Sequence, residues 1–75
     1  MEAESRIWTQ VESSNLKAVS YDAENRELYV WFLGGGIYVY YDVPPERYAG
    51  LIEAPSHGSY FVEHIRNTYR YRKIA

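Results

Sequence analysis

The sequence predicts a small α+β domain: a three-stranded antiparallel β-meander followed by two α-helices packed on one face of the sheet, in the order β-β-β-α-α. Residues 28–44, LYVWFLGGGIYVYYDVP, contain two runs of β-branched and aromatic residues joined by three glycines, which is typical of a β-hairpin. After this stretch, apolar residues recur at helical spacing. We expect residues 11–75 to form a single domain and residues 1–10 to be a flexible or partly ordered N-terminal segment.

The composition limits the classes of function. The chain of 75 residues has ten acidic and eight basic residues, a net charge of −2 and no cysteine. This charge argues against the broad basic surface of ordinary nucleic-acid-binding proteins, and the lack of cysteine excludes disulfides. The sequence begins with charged residues rather than a signal peptide and contains no apolar run of membrane-spanning length. We therefore expect a soluble, cytoplasmic protein that does not enter the membrane.

Three segments have the pattern of β-strands. The first is predicted at residues 13–21, the second at residues 27–33 and the third at residues 37–41. Asp and Asn residues in segment 22–26 favour a turn between the first two strands. Residues 6–11 have two open interpretations, an additional short strand or a mobile chain end.

The glycine triplet decides the register of the central hairpin. If residues 34–36 form the whole loop, the cross-strand pairs are Leu33 with Ile37, Phe32 with Tyr38, and Val30 with Tyr40. A loop of two residues would change these partners, because a shift by one residue turns a strand's side chains to the other face. The longer loop gives a core face that carries Leu28, Val30, Phe32, Tyr38 and Tyr40. The opposite side, called the outer face below, carries Tyr29, Trp31, Leu33, Ile37, Val39 and Tyr41.

Two helices and an extended tail are predicted after the sheet. Pro45 suits the first turn of the first helix and Pro55 terminates that helix, while Ser56 is a candidate N-cap for the second. Helical spacing gives each helix one apolar face, formed by Tyr48, Leu51 and Ile52 in the first and by Tyr60, Phe61 and Ile65 in the second. The second helix is expected to end within residues 65–68, which leaves residues 69–74 as the tail.

Three stretches carry further motifs: SSNLKAVSYD, GGGIYVYYDVPPERY and SHGSYFVEHIRNTYRYRKI. Together they resemble the KTSC domain, a small domain at the C-terminus of some lysyl-tRNA synthetases that also occurs as free-standing bacterial and phage proteins. The resemblance extends over residues 11–74 and implies a binding domain for which RNA has been suggested as the ligand. The positions that match the family motifs, expected to be structural, are Tyr38, Tyr40, Pro44, Gly58, Phe61 and Ile65.

The two motif tyrosines allow a functional interpretation and a structural one. Tyr38 and Tyr40 could stack on unpaired bases, since single-strand binders combine aromatic rings with a cationic groove. The alternative is that both rings pack beneath the helices. The predicted register favours packing, because it groups them with Leu28, Val30 and Phe32.

The C-terminal tail supplies most of the candidate nucleic-acid-binding residues. These are Lys17, Arg66, Tyr69, Arg70, Tyr71, Arg72 and Lys73. Their cations could converge on a phosphate backbone while the two tyrosines stack on bases. The alternative is a solvated basic tail whose tyrosines attach it to the domain.

The outer face is the candidate protein interface. It would present Tyr29, Trp31, Ile37 and Val39, and an uncovered apolar patch of this kind is unusual on a monomer. The alternative is that the N-terminal segment, through Ile7, Trp8 and Val11, or the tail covers these residues.

The two histidines do not form a recognisable catalytic or metal-binding pattern. His57 and His64 are seven residues apart, and neither lies in a set of nucleophile, base and acid or of several metal ligands. We expect a non-enzymatic binding module with no cofactor and no metal. Its expected partner is RNA or another nucleic acid, and the second possibility is a protein, including another copy of the chain.

Overall fold

The computed structural model describes residues 6–75, so residues 1–5 of the predicted N-terminal segment lie outside the described part. It confirms the α+β class, with two helices packed against one face of an antiparallel sheet. Within the described residues the sheet has five strands, ordered β1-β2-β3-β4-β5. The elements are β1 (Thr9–Gln10), β2 (Leu16–Asp22), β3 (Glu27–Phe32), β4 (Ile37–Tyr40), α1 (Pro45–Glu53), α2 (His57–His64) and β5 (Tyr71–Lys73).

The prediction of three strands was wrong, because both ends of the described chain add a strand to the meander. At one edge, β1 pairs with β2 through Thr9 and Val19. This is the short N-terminal strand that was one of the two interpretations of residues 6–11. At the other edge, β5 pairs Tyr40 with Tyr71 and continues along β4. The tail was predicted as extended but without a partner, since three residues carry too weak a pattern to indicate pairing with a strand thirty residues earlier.

The hairpin register differs from the prediction by two residues. Trp31 pairs with Ile37, and Val30 pairs with Tyr38 rather than with Tyr40. The Phe32 amide donates to the Gly36 carbonyl at 3.1 Å, so the ladder continues through Gly36 and the loop begins one residue earlier than predicted. Because the side-chain period of a strand is two, this shift changes every partner but leaves each side chain on its predicted face.

A β-bulge in β2 separates two residues that simple alternation places together. Leu16 pairs with Phe32 and Ala18 with Trp31, so Lys17 is the extra residue between them. Leu16 therefore lies in the core, whereas Ala18 is buried on the outer face beside Trp31. The bulge also leaves the side chain of Lys17 exposed.

Both helices form where local signals predicted them. Pro44 is the N-cap of α1, and the Ser56 hydroxyl accepts a hydrogen bond from the Ser59 amide at 3.2 Å, which caps α2. The second helix ends at His64, one residue before the predicted range, and a turn follows. No helix of residues 6–75 has both the length and the apolarity needed to cross a membrane.

One hydrophobic core joins the helices to the sheet. Its fully buried side chains are Leu16, Val19, Leu28, Val30, Val43, Leu51, Phe61 and Ile65. The two helices approach each other closely at Gly50, where a β-carbon would lie 2.7 Å from Cζ of Tyr60. Glycine at this position weakens the helix, but it allows α2 to pack across α1.

Candidate functional site

A cleft lies on the core side of the sheet, between β4, β5 and the turn that follows α2. Five aromatic side chains line it: Phe32, Tyr38, Tyr40, Phe61 and Tyr71. Its volume is about 390 Å³, within the range of about 300–1,000 Å³ typical of ligand sites. Polar groups stand at its edge, namely Asn15, Arg66 and Asn67. We call this set of residues the aromatic cleft.

Strand register brings three tyrosines of the aromatic cleft together. Tyr38 and Tyr40 are two residues apart in β4, and Tyr71 lies opposite Tyr40 in β5, so all three side chains share a face. The ring centroid of Tyr71 is 5.5 Å from that of Tyr40 and 5.9 Å from that of Tyr38. The pairing of β5 with β4 therefore creates one wall of the cleft.

Exposure changes sharply from the floor of the aromatic cleft to its rim. Phe61 and Tyr40 are 1% and 3% exposed, and their rings meet edge to face with centroids 5.4 Å apart. Tyr71, by contrast, is 58% exposed. The floor is thus a rigid part of the core, and the Tyr71 ring is accessible for stacking.

Burial controls the protonation of Tyr40. Desolvation raises the pKa of its hydroxyl to about 12, and the nearby hydroxyls of Tyr71 and Tyr38 act in the same direction. The Arg66 guanidinium acts in the opposite direction but does not compensate. The Tyr40 hydroxyl therefore keeps its proton to a higher pH than a solvent-exposed tyrosine does.

Asn15 reaches the rim because α2 lies close to the chain segment before β2. A β-carbon on Gly58 would be 2.6 Å from Asn15 Oδ1 and 3.0 Å from Ser13 Oγ, so a larger residue would displace these two side chains from their present positions. The Ser13 hydroxyl donates to Asn15 Oδ1 at 2.8 Å and orients the amide. Sequence reasoning missed Asn15 and Asn67 as site residues. In the sequence, only the family-motif glycine at position 58 indicated that another part of the chain approaches α2 closely at this point.

The predicted nucleic-acid-binding residues do not all lie together. Arg66 and Tyr71 line the aromatic cleft, whereas Arg70 precedes β5 and its guanidinium lies 5.1 Å from the ring centroid of Tyr41, an outer-face residue. Tyr69 packs against the core and accepts a hydrogen bond from Arg47 Nε at 3.4 Å. Lys17 lies elsewhere, with Nζ 4.1 Å from the ring centroid of Trp31 on the outer face.

The remaining cations of the tail are on the edge strand. Arg72 pairs with Val39 and Lys73 with Tyr38, so their side chains point to opposite faces of the sheet. Lys73 is on the cleft side, and its Cε would be 3.3 Å from a β-carbon on Gly36. Only Lys73 of these two therefore lies on the face that contains the aromatic cleft.

The N-terminal segment covers part of the outer face. Trp8 meets Trp31 edge to face with centroids 5.4 Å apart, and the Arg6 guanidinium carbon lies 3.4 Å above the Tyr29 ring centroid. Ile7 is 84% exposed and does not contribute to this cover. Val11 packs against the core.

The four candidate interface residues differ in accessibility. Tyr29, Trp31 and Ile37 are partly buried, whereas Val39 is 3% exposed. The Tyr29 hydroxyl donates to Glu27 Oε1 at 2.9 Å, and burial together with this bond raises its pKa. Tyr29, Trp31 and Ile37 therefore remain accessible on this surface.

The family-motif residues occupy structural positions. Tyr40, Phe61 and Ile65 are buried in the core. Pro44 is the N-cap of α1, and Gly58 permits the contact described above. Tyr38 is partly buried, and its ring meets Phe32 edge to face with centroids 5.4 Å apart. Tyr38 and Tyr40 thus pack into the domain and also line its cleft.

The histidines have local structural contacts. His57 Nδ1 is 2.8 Å from the carbonyl oxygen of Leu51, which links the two helices. The His64 ring is 4.5 Å from that of Tyr60, and Nε2 is 3.8 Å from the carboxylate of Glu63. Among residues 6–75, no group of three His, Cys, Asp or Glu side chains is arranged to hold a metal ion.

These features define a small α+β domain with an aromatic cleft on its helical side. The chain belongs to the KTSC domain family, whose model matches residues 12–69. It is also similar to the crystal structure of a KTSC domain protein from Yersinia pestis, with a TM-score of 0.90 and 31% identity. That similarity covers 95% of this chain and 100% of the other, and the resemblance inferred from the motifs is confirmed.

Relatives include both free-standing proteins and a larger enzyme. An uncharacterized protein of Stutzerimonas stutzeri is 40% identical over 65 residues, which are 85% of this chain and 92% of that protein. A lysine–tRNA ligase of Nostoc punctiforme is 31% identical over 64 residues, which are 85% of this chain but only 11% of the ligase. The domain is therefore a small part of that enzyme.

Proposed function

We propose that this domain is a non-enzymatic module that binds unpaired RNA, with the aromatic cleft as its site. The observation that carries the proposal is the convergence of an exposed ring, Tyr71, with the cationic Arg66 at the mouth of an aromatic-lined depression. Proteins that bind single-stranded nucleic acid use this combination, because rings stack on bases while guanidinium groups contact phosphates.

The local charge supports this proposal despite the net charge of −2. Residues 66–75 contain three arginines and one lysine and no acidic residue. Charges on the rest of the surface act weakly at the cleft, since the screening length is about 8 Å at physiological ionic strength. A phosphate near Arg66 would therefore be attracted mainly by Arg66 and by Lys73, the cation of the tail that lies on the same face as the cleft.

The similarity to part of a lysine–tRNA ligase gives separate support. An enzyme of that name acts on a tRNA, so an additional domain within the same chain lies near bound RNA. The matched region is 11% of the ligase, and the proposal therefore concerns RNA contact by this domain and not aminoacylation.

Titration of the 15N-labelled protein with single-stranded RNA at low salt tests the function. We expect Tyr71→Ala to weaken binding about tenfold, because stacking of one base on an aromatic side chain is worth about 1–3 kcal/mol. Tyr71→Phe is the matched control and should bind nearly as the unchanged protein, since it keeps the ring. No RNA-induced shifts at low salt would contradict the proposal.

The basic tail offers a second test of the same function. Replacing Arg70, Arg72 and Lys73 together by Ala should abolish detectable binding at physiological salt and flatten the salt dependence of what remains. The three side chains are exposed, so the fold should be unaffected. Unchanged affinity in a folded triple variant would contradict an electrostatic contribution from the tail.

A second candidate function is protein interaction or self-association through the outer face. The observation that favours it is the partly exposed Trp31 ring with Lys17 above it and Arg6 nearby, because Trp, Tyr and Arg are enriched at interface hot spots. Trp31→Glu should then reduce concentration-dependent association in sedimentation experiments while the monomer stays folded. Sedimentation as a monomer at high concentration would argue against self-association.

A further inference from the structure

A shallow groove continues the aromatic cleft across the turn between α2 and β5. It is lined by residues 66–71 and has a volume of about 570 Å³. The groove and the cleft share Arg66, Asn67 and Tyr71. The two depressions therefore adjoin at Arg66 and Tyr71, and a path from one to the other passes round the edge strand β5 to Arg70, which lies beside the outer-face ring of Tyr41.

Backbone hydrogen bonds hold this turn at both ends. The Arg66 amide donates to the Phe61 carbonyl at 2.9 Å, and the Thr68 amide donates to the Ile65 carbonyl at 3.1 Å. At the far end, the Tyr41 amide donates to the Arg70 carbonyl at 2.9 Å. A ligand would thus meet a surface that is already formed, which lowers the entropic cost of binding.

Two arginines mark the length of the path. Arg66 belongs to both depressions, and Arg70 belongs only to the groove. The Arg70 guanidinium lies 5.1 Å from the Tyr41 ring centroid and 3.6 Å from the carboxylate of Asp42. Both partners of this ion pair are highly exposed, so the pair is weak and a phosphate can replace the carboxylate.

Resting on the RNA-binding function, we propose that the site accommodates a run of about two or three unpaired nucleotides. One base enters the aromatic cleft, and the next stacks on the outer side of Tyr71. Arg66 and Arg70 contact successive phosphates along the turn. The footprint ends there because β5 turns back along β4 after Arg70.

Uridylate oligonucleotides of one to six nucleotides, titrated into the full chain and followed by NMR, test this footprint. Affinity should rise about tenfold or more from one nucleotide to three, and should change little from three to six. The slope of log K against log salt should be about −1.4, since each phosphate contact of a single strand contributes about −0.7.

Different failures separate the footprint from the proposed function. A steep rise in affinity beyond three nucleotides, or a single nucleotide that binds as tightly as three, would overturn the footprint while RNA binding stands. Absence of binding at every length would remove both.

Variants of the charged residues assign the phosphate contacts. Arg66→Ala should reduce the magnitude of the salt slope by about 0.7 and remove the affinity gained with the second nucleotide.

Asp42→Asn should raise the affinity for three nucleotides about twofold, because it releases Arg70 from a weak surface pair. Arg6→Ala, which removes a cation from the outer face, is the control and should leave the slope unchanged. An unaltered slope in folded Arg66→Ala, or an equal loss in Arg6→Ala, would overturn the assignment.

Discussion

The two faces of the central hairpin both carry aromatic residues, but the surroundings of these rings differ. Alternate residues of β4 supply the aromatic cleft with Tyr38 and Tyr40 and the outer face with Ile37 and Val39. On the outer face, the chain's own cations lie over the partly exposed rings, with Arg6 above Tyr29 and Lys17 above Trp31.

In the aromatic cleft the arrangement is different. Arg66 stands at the mouth, and the Tyr71 ring is 58% exposed. Aromatic residues therefore do not identify a binding site by themselves. What distinguishes the cleft is a ring whose face is available and a cation that remains exposed to solvent.

Truncation of the cleft floor should have the largest effect on stability. Phe61→Ala should reduce the free energy of unfolding by about 3–5 kcal/mol, because a fully buried ring leaves a cavity between the sheet and α2. Urea denaturation measures this loss. Val62→Ala, at an exposed position of the same helix, should cost about 0.5 kcal/mol or less. Similar losses in the two variants would contradict the description of Phe61 as the floor.

The raised pKa of Tyr40, on the floor of the aromatic cleft, predicts that the protein loses stability at high pH. The unfolded chain loses the Tyr40 proton near pH 10, whereas the folded protein keeps it until about pH 12. Stability due to this group is present below pH 10 and decreases between pH 10 and 12, by about 2–3 kcal/mol in total.

Tyr40→Phe removes this titration and leaves those of the other tyrosines. The difference in unfolding free energy between the variant and the unchanged protein should therefore shift by about 2–3 kcal/mol between pH 10 and 12, in favour of the variant. Denaturation at a series of pH values measures the shift. If the difference in unfolding free energy stayed constant between pH 10 and 12, burial would not raise the pKa of Tyr40.

Removal of the cover on the outer face should have the smallest effect. Trp8→Ala should destabilise the domain by about 1 kcal/mol, since it removes one edge-to-face contact with Trp31 near the end of the chain. The variant should increase solvent exposure of Trp31, measured as a red shift of its fluorescence, and leave NMR signals of the aromatic cleft unchanged. Shifts at Tyr38 or Tyr71 would instead indicate that the two faces are coupled.

Local chemistry by itself determined the helices, and strand periodicity determined the two faces. Pro45 and Ser56 act within one turn of their own positions, so the sequence predicted where both helices begin. The faces of β3 and β4 survived an error in register because the shift was an even number of residues. For the same reason, Tyr38 and Tyr40 were assigned correctly to the core side.

Tertiary structure alone decided how distant segments meet. The sequence predicted Arg66 and Tyr71 as candidate nucleic-acid-binding residues, but only the pairing of β5 with β4 places Tyr71 beside Tyr40. Asn15, which is distant from these residues in the chain, lines the same cleft and lies against Gly58. The β-bulge at Lys17, whose ammonium group lies over Trp31 on the outer face and not at the cleft, also depends on pairing between strands. None of these contacts has a local signature, because each depends on packing between residues far apart in the chain.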